Sequence, residues 1–142
     1  MTQASETIFI EAPAKTVYDI IMDFEKYPDF LPDVKEASLL SKKGNSLEVE
    51  FEIQVIKKIN YSLKVSGTPG KKVAWSLLKG DFFKKNDGGW SLKEKNGKTE
   101  ATYSVDIDFG IFVPSMITSK LIGSNLPGML RRFKERIENG CA

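Results

Sequence analysis

Histidine does not occur among the 142 residues of this chain. Its absence excludes Ser-His-Asp and Cys-His nucleophile systems, imidazole general bases and every zinc site with a histidine ligand. Cysteine occurs once, at Cys141, which excludes an intrachain disulfide, thiolate zinc clusters and CxxC redox chemistry. The composition leaves catalysis by carboxylates, lysine or tyrosine, or no catalysis at all.

Long apolar runs are also missing, since none approaches the roughly 20 residues that a membrane-spanning helix needs. The segment Met1–Glu6 lacks the basic start and the apolar stretch of a signal peptide. We therefore expect a cytoplasmic protein, with peripheral contact to a membrane surface as the other location that fits. The net charge of +2 gives no reason to expect DNA as a partner.

The length and the apolar content are those of one globular domain. Single domains most often have about 100–150 residues, and a chain of this size buries a real core without disulfides or metal. The hydrophobic fraction is 41%, and the chain contains no repeat, low-complexity tract or linker. The sequence predicts a single domain over residues 1–142.

The N-terminal part predicts a strand followed by two short helices. Residues 6–11 form a short strand candidate, and Pro13 starts the first helix, because proline is favoured at a first helical position. The apolar stripe of this helix consists of Val17, Ile20, Ile21 and Phe24. Asp23 is a candidate cap for the second helix, which must end near Pro28 or Pro32.

Apolar and polar residues alternate with a period of two between residues 36 and 109. Six strands are predicted, at about 36–42, 46–56, 58–66, 72–79, 83–94 and 98–109. The turn signals are Gly44-Asn45, Gly67-Thr68-Pro69-Gly70, Asp87-Gly88-Gly89 and Asn96-Gly97. Such short connections favour an antiparallel meander, because parallel strands need long crossovers.

The period becomes helical from Pro114 onward. The apolar positions of this last segment are Met116, Ile117, Leu121, Ile122, Leu126, Met129, Leu130, Phe133 and Ile137. They predict a helix of about 24 residues, roughly 36 Å long. Pro127-Gly128 predicts a kink or a division into two consecutive helices, and Asn139-Gly140 a C-terminal cap.

These elements predict an α+β fold. Each strand has one apolar face, and only the last helix is long enough to cover a sheet of six to seven strands. We expect a curved antiparallel sheet wrapped around that helix, with the two short helices closing one end. A single helix in a concave sheet seldom fills the space, so we also predict an apolar cavity between sheet and helix that suits an apolar ligand.

The predicted cavity has a wall and a gate. Tyr27, Phe30 and Leu31, between two prolines, are candidates for a gate over its mouth; ordinary core packing is the alternative for them and for the wall residues. The full set of candidate ligand-binding residues is Tyr27, Phe30, Leu31, Phe51, Ile53, Tyr61, Leu63, Trp75, Trp90, Tyr103, Met116, Leu121, Leu126 and Met129.

The order strand, two short helices, six strands and long helix resembles the START-like, or helix-grip, superfamily. Within it the chain is similar to the coenzyme Q-binding and polyketide cyclase/dehydrase-like group, which includes the ribosome-association toxin proteins. The segments that carry the resemblance are 10–13 (IEAP), Val17-Tyr18, 23–32 (DFEKYPDFLP), Gly80, 82–84 (FFK), Gly89-Trp90 and the C-terminal helix. The resemblance implies binding of a polyprenyl quinone or another lipid in the central cavity.

The sequence offers no catalytic residue and no metal ligand set. Asp106 and Asp108 lie on one face of a strand as acid/base pairs do, but their alternation with apolar neighbours predicts that they point to solvent. A non-catalytic carrier of a hydrophobic molecule is therefore the first hypothesis, with no cofactor beyond a bound quinone or lipid. A polyketide cyclase/dehydrase-type enzyme is the alternative.

A third hypothesis is a ribosome-associated interaction protein. It depends on a basic patch that meets ribosomal RNA phosphates or anionic lipid headgroups. The candidate residues of this patch are Lys84, Lys85, Arg131, Arg132, Lys134 and Arg136. A solvated helix face is the other interpretation, because basic residues near a helix C-terminus also complement the helix dipole.

Overall fold

The computed structural model describes residues 2–55, 57–80, 83–109 and 126–139. Its elements are strand β1 (Thr2–Ile10), helix α1 (Ala14–Met22), a 3₁₀ helix (Phe24–Asp29), strands β2 (Val34–Lys43), β3 (Ser46–Val55), β4 (Lys57–Thr68), β5 (Lys72–Gly80), β6 (Phe83–Lys95) and β7 (Lys98–Phe109), and helix α2 (Leu126–Glu138). The six strands predicted between residues 36 and 109 are present, each within two residues of its expected ends.

The strands form one seven-stranded antiparallel sheet in the order β1-β7-β6-β5-β4-β3-β2. Strands β2 to β7 are neighbours in chain order, which confirms the predicted meander. The hairpin between β6 and β7 turns at Asn96 (φ 56°) and Gly97 (φ 78°). Both residues adopt the left-handed region that a two-residue hairpin turn requires, as the Asn-Gly pair predicted.

Strand β1 begins at Thr2, four residues earlier than predicted. It pairs with β7 over its whole length, from Thr2↔Ile107 to Ile10↔Thr99. The outward side chains at the beginning of β1, among them Gln3 and Ser5, are polar, and the sequence shows no regular apolar alternation that would predict a strand there. Cross-strand hydrogen bonds hold this part of β1 to β7. The Oγ atoms of Ser5 and Ser104, for example, are 3.1 Å apart.

The composition of the pair Gly88-Gly89 predicted a turn, and this prediction was wrong. The pair lies in the middle of β6. Gly88 faces the inner side of the sheet, where a Cβ would stand 2.8 Å from Cζ2 of Trp75 and 2.4 Å from the carbonyl oxygen of Ser104. Glycine is therefore required at this position by close packing rather than by a chain reversal.

Helix α1 is fixed to the β6–β7 hairpin. Pro13 stands at its N-cap and cannot cap it with a side chain, so Glu94 Oε1 accepts a hydrogen bond of 2.8 Å from the Ala14 N–H instead. Thr99 Oγ1 donates to the Ala12 carbonyl at 2.7 Å. These bonds set the angle at which the short helices leave the sheet.

The 3₁₀ helix is held by its aromatic residues and not by a cap. Asp23 occupies the N-cap position but makes no side-chain capping bond, contrary to its predicted role. The Tyr27 hydroxyl donates to the Ile21 carbonyl at 2.5 Å, which ties the 3₁₀ helix to α1.

Helix α2 packs through Leu126, Leu130, Phe133 and Ile137. Near its C-terminus Lys134 pairs with Glu138 at 2.5 Å and donates to the Phe9 carbonyl, and Glu138 accepts a 2.9 Å bond from the Glu11 N–H. Pro127-Gly128 lies at the beginning of the described part of this helix. The predicted helical residues 114–125, and the kink or division expected next to them, fall outside the described residues.

Candidate ligand-binding site on the inner face of the sheet

The inner face is the side of the sheet that packs against α1 and α2. Its side chains come from alternate residues of each strand, as the period of two predicted. Leu47, Val49, Ile59, Val65 and Ala101 are examples that are almost completely buried. With α1 and α2 they form one hydrophobic core.

Aromatic rings connect α2 to the inner face. The centroid of the Phe133 ring lies 5.2 Å from the ring centroid of Tyr27, 5.1 Å from that of Phe30 and 5.3 Å from that of Trp90. Each pair has an edge-to-face geometry. Such contacts are favourable beyond their buried area. Phe133 therefore joins the 3₁₀ helix, β6 and α2 at one point.

The network continues along the sheet in both directions. On one side Phe51 stacks on Tyr61 at 5.3 Å. On the other side Tyr103 lies 5.1 Å from Trp90 and 5.4 Å from Trp75. The inner face thus presents aromatic surface over several strands.

Some inner-face side chains are surrounded by protein and still keep accessible surface. Tyr61, Trp75 and Tyr103 are only partly buried, whereas the neighbouring Trp90 is 4% exposed. Burial nevertheless raises the pKa of the Tyr61 and Tyr103 hydroxyl groups. Tyr61 and Tyr103 therefore lie in a desolvated environment in which their side chains are not completely covered.

Polar groups are few on this side of the sheet. The buried polar side chains among the described residues are Ser62, Asn86 and Thr99, and none of the buried ones is charged. Asn86 Oδ1 accepts a 3.3 Å hydrogen bond from Nε1 of Trp75. Ser62 pairs with Glu50 on the outer side, so the described inner face carries one amide, on β6, besides the hydroxyl groups of threonine and tyrosine.

Twelve of the fourteen predicted ligand-binding residues are described, and all twelve belong to the core or pack against it. The buried ones are Tyr27, Leu31, Phe51, Ile53, Leu63, Trp90 and Leu126. The partly buried ones are Phe30, Tyr61, Trp75, Tyr103 and Met129. Met116 and Leu121 lie outside the described residues.

The gate candidates differ in their surroundings. Tyr27 and Leu31 are packed in the core, 8% and 4% exposed. Phe30 lies at the margin and is partly buried, with the guanidinium carbon of Arg136 5.1 Å above its ring. Of the three, Phe30 is the side chain that borders both the interior and the surface.

Asn86 was missed by the sequence analysis. The Asp87-Gly88-Gly89 segment was interpreted as a turn signal, although it lies inside the strand predicted at 83–94. The signal was nevertheless present, because Asn86, Gly88 and Trp90 share one parity and Trp90 was predicted to face inward.

Charged residues of β6 and β7 lie on the opposite, outer face. Asp106 pairs with Lys85 at 2.8 Å and accepts a weaker bond from Gln3 at 3.5 Å. The hydrogen bond from Lys85 is the main cause that lowers the pKa of Asp106. Asp106 thus lies on the outer face, as predicted, but its side chain is only 21% exposed and its Oδ1 atom is buried rather than open to solvent.

The predicted basic patch is not continuous. Lys85 is bound to Asp106 on the outer face, whereas α2 packs on the inner face. On α2 itself, Lys134 is paired with Glu138 and Arg136 covers Phe30. Arg131 and Arg132, which were also part of the predicted patch, are exposed.

A groove of about 670 Å³ lies on the outer face of β1, β5, β6 and β7. Its outward side chains include Gln3, Ser5, Ser91 and Ser104, and no residue of α2 lines it. It is therefore distinct from the cavity that was predicted between sheet and helix.

No helix in the described part of the chain is both long and apolar enough to cross a bilayer. Among the same residues, no group of three or more Cys, Asp or Glu side chains is arranged to hold a metal ion.

Residues 10–134 match the family described as polyketide cyclase / dehydrase and lipid transport. The chain belongs to this family. The ribosome association toxin RatA of Vibrio cholerae is 24% identical to this chain over an aligned length of 142, which covers 96% of this chain and 95% of the toxin.

Solved structures show the same fold as this member of the family. The Zhui aromatase/cyclase from Streptomyces sp. R1128 superimposes with a TM-score of 0.88 at 14% identity, over 99% of this chain and 96% of that one. A START superfamily protein from Mycobacterium smegmatis gives 0.83 at 22% identity, over 96% and 97%. A STAR-related lipid transfer protein from Xanthomonas axonopodis gives 0.80 at 15% identity, over 95% and 85%. These likenesses establish the helix-grip fold predicted from the order of elements.

Proposed function

We propose that this family member binds a hydrophobic small molecule, a polyprenyl quinone or another lipid, between the inner face and the C-terminal helical segment. The observation that carries the proposal is the set of inner-face aromatic residues, Tyr61, Trp75 and Tyr103, that keep accessible surface inside an apolar interior. Apolar walls with few polar groups are typical of sites for small hydrophobic ligands.

We propose that this binding involves no catalysis by the chain. General acid–base catalysis at neutral pH needs a group whose pKa lies near the operating pH. The described interior contains no buried carboxylate, lysine or arginine, and burial moves the pKa of Tyr61 and Tyr103 further above neutrality. These observations favour the carrier over the cyclase/dehydrase-type enzyme.

Native mass spectrometry of the freshly purified protein tests the proposal directly. A bound lipid or quinone is expected as a mass increment that disappears on denaturation. A protein that carries no such mass and does not bind the uncharged apolar probe N-phenyl-1-naphthylamine would contradict the proposal.

Replacing Leu77 by tryptophan is expected to weaken binding of N-phenyl-1-naphthylamine at least about tenfold, because a larger ring occupies part of an apolar site. Leu77 is partly buried and packs against the core from β5. The next residue, Leu78, is 45% exposed, so Leu78→Trp is the matched control and should bind the probe as the unmodified chain does. The measurement is a fluorescence titration of both variants, after thermal melts show that both are folded.

Ribosome association is a second candidate function, favoured by the full-length similarity to the Vibrio cholerae toxin RatA. Arg131 and Arg132 are exposed on α2 and free to approach an RNA backbone. We expect a fraction of the protein to cosediment with ribosomes at low salt. The double variant Arg131→Glu/Arg132→Glu should abolish this, whereas Lys42→Glu/Lys43→Glu on β2 should not. Equal cosedimentation of the two double variants would contradict a role for this part of α2.

A further inference from the structure

Two hairpin turns and the beginning of α1 meet at one end of the sheet. Glu94, on the hairpin between β6 and β7, accepts the hydrogen bond from the Ala14 N–H at 2.8 Å. The Leu92 N–H of β6 donates to the Lys71 carbonyl at 2.7 Å, which joins the turn between β4 and β5 to the same hairpin. We call this surface the hairpin end. It consists of residues 9–15, 68–72 and 93–100.

The hairpin end is rich in exposed lysine. Its six lysines compare with three carboxylates, Glu11, Glu94 and Glu100. Lys98 pairs with Glu11 at 3.2 Å, whereas none of the other five lysines has an ion-pair partner among the described residues. The six are Lys15, Lys71, Lys72, Lys93, Lys95 and Lys98, and all are exposed. The hairpin end therefore carries positive charge that the fold does not neutralise.

An exposed aromatic ring lies among these lysines. Phe9 is 67% exposed, more than any other large apolar side chain of the described residues. In the register of the sheet it stands opposite Glu100, which in turn stands opposite Lys93. Directly opposed residues of antiparallel strands share one face, so Phe9 and Lys93 lie together on the outer face. The hairpin end thus combines an apolar ring with unpaired cations.

This composition favours a membrane surface over a nucleic acid as the partner. Arginine is preferred for the phosphates of nucleic acids because its guanidinium donates two hydrogen bonds at once, and several aromatic rings usually stack on unpaired bases. The hairpin end contains no arginine and a single aromatic ring. Lysine clusters bind the diffuse negative charge of anionic lipids, and an exposed apolar side chain adds affinity by entering the headgroup region. A bilayer with anionic lipids therefore matches both features.

We propose that the hairpin end docks this protein on a membrane surface that contains anionic lipids. The inference rests on the proposed binding function and adds the partner from which a water-insoluble ligand is taken. Each lysine close to an anionic surface strengthens binding about fivefold, and the attraction extends about 8–10 Å into solution. Five unpaired lysines at one end of the molecule are therefore enough for reversible, salt-dependent docking.

Cosedimentation with sucrose-loaded vesicles tests the docking surface. At low salt the unmodified chain is expected to bind phosphatidylcholine vesicles that contain about 30% phosphatidylglycerol. It should bind pure phosphatidylcholine vesicles at least about a hundredfold more weakly. The hairpin-end triple variant, Lys72→Gln/Lys93→Gln/Lys95→Gln, should bind the anionic vesicles about a hundredfold more weakly than the unmodified chain, because three contributions of about fivefold are lost.

The matched control has the same net charge as the hairpin-end triple variant. Lys58→Gln/Lys79→Gln/Lys84→Gln removes three exposed lysines at the opposite end of β4, β5 and β6, and its affinity should stay within about threefold of the unmodified chain. For the ring, Phe9→Ser should weaken binding about tenfold, whereas Leu40→Ser, which removes a 53% exposed leucine from β2, should not. All of these side chains are exposed, so the variants are expected to fold.

Binding of N-phenyl-1-naphthylamine in the absence of vesicles separates this inference from the proposed function. A chain that binds the probe but no anionic vesicles, or whose two triple variants lose vesicle binding equally, keeps the proposed function and overturns the docking surface. The docking surface is also overturned if the hairpin-end triple variant loses binding to an RNA duplex while its binding to vesicles is unchanged. A chain that binds neither the probe nor the vesicles overturns both.

Discussion

Replacing Phe133 by alanine is expected to lower the free energy of unfolding by about 4 kcal/mol. Phe133 is 2% exposed and is the residue at which three aromatic contacts meet, to Tyr27, Phe30 and Trp90. Truncation removes the buried area of the ring, leaves a cavity and cancels the edge-to-face contacts. Urea denaturation followed by circular dichroism measures the effect.

The control for Phe133→Ala is the preceding residue. Arg132 is exposed on α2, so Arg132→Ala should change the free energy of unfolding by no more than about 0.5 kcal/mol. Phe133→Leu should lie between the two, because it keeps much of the volume but not the ring geometry. If Phe133→Ala unfolds at the same urea concentration as Arg132→Ala, the ring network does not hold α2 in place.

The importance of Phe133 was visible in the sequence only as one apolar position among many. Its spacing from Met129, Leu130 and Ile137 predicted a buried helical face, and three of these four are buried in α2 while Met129 is partly buried. Which strand and which loop meet that face is decided by tertiary packing. Periodicity along one helix carries no information about it.

The sheet was predictable because its strands alternate so regularly. In β3 the inward positions are apolar and the outward ones are Glu48, Glu50 and Glu52, so a strand and its faces follow directly from the pattern. The beginning of β1 was not predicted because it lacks this alternation. Gln3 and Ser5 are instead held by side-chain hydrogen bonds to β7. A strand held by cross-strand polar contacts lacks the apolar signal.

The candidate site was predictable in its apolar part and not in its polar part. Inward-facing Trp75, Trp90 and Tyr103 follow from alternation alone. Asn86 does not, because an asparagine before a glycine pair is typical of a turn. Here the glycine pair lies in a strand instead of a turn, because the indole of Trp75 fills the space that a side chain at residue 88 would occupy.

Replacing Gly88 by alanine is expected to lower the free energy of unfolding by about 3 kcal/mol, a large effect for the addition of one methyl group. The new Cβ would stand 2.8 Å from the indole of Trp75 and 2.4 Å from the carbonyl oxygen of Ser104. A side chain can rotate away, but Ser104 belongs to the paired strand β7, so relief of the second contact requires the ladder itself to move. Both thermal and urea unfolding should report the loss.

Gly128 provides the matched control for Gly88→Ala. It lies near the beginning of the described part of α2, where a Cβ would meet no atom of the other described elements within 4 Å. Gly128→Ala should therefore leave the stability unchanged or raise it by up to about 1 kcal/mol, because alanine loses less backbone entropy in a helix than glycine does. A Gly88→Ala protein as stable as Gly128→Ala would mean that β6 and β7 are not held as closely as described.

The double variant Trp75→Ala/Gly88→Ala separates the two contacts of the added methyl group. Removal of the indole abolishes the contact at 2.8 Å and leaves the one to the Ser104 carbonyl. The cost of Gly88→Ala measured in the Trp75→Ala background should therefore be smaller than in the unmodified chain but not zero. An unchanged cost would mean that the β6–β7 backbone alone, and not the indole of Trp75, requires glycine at position 88.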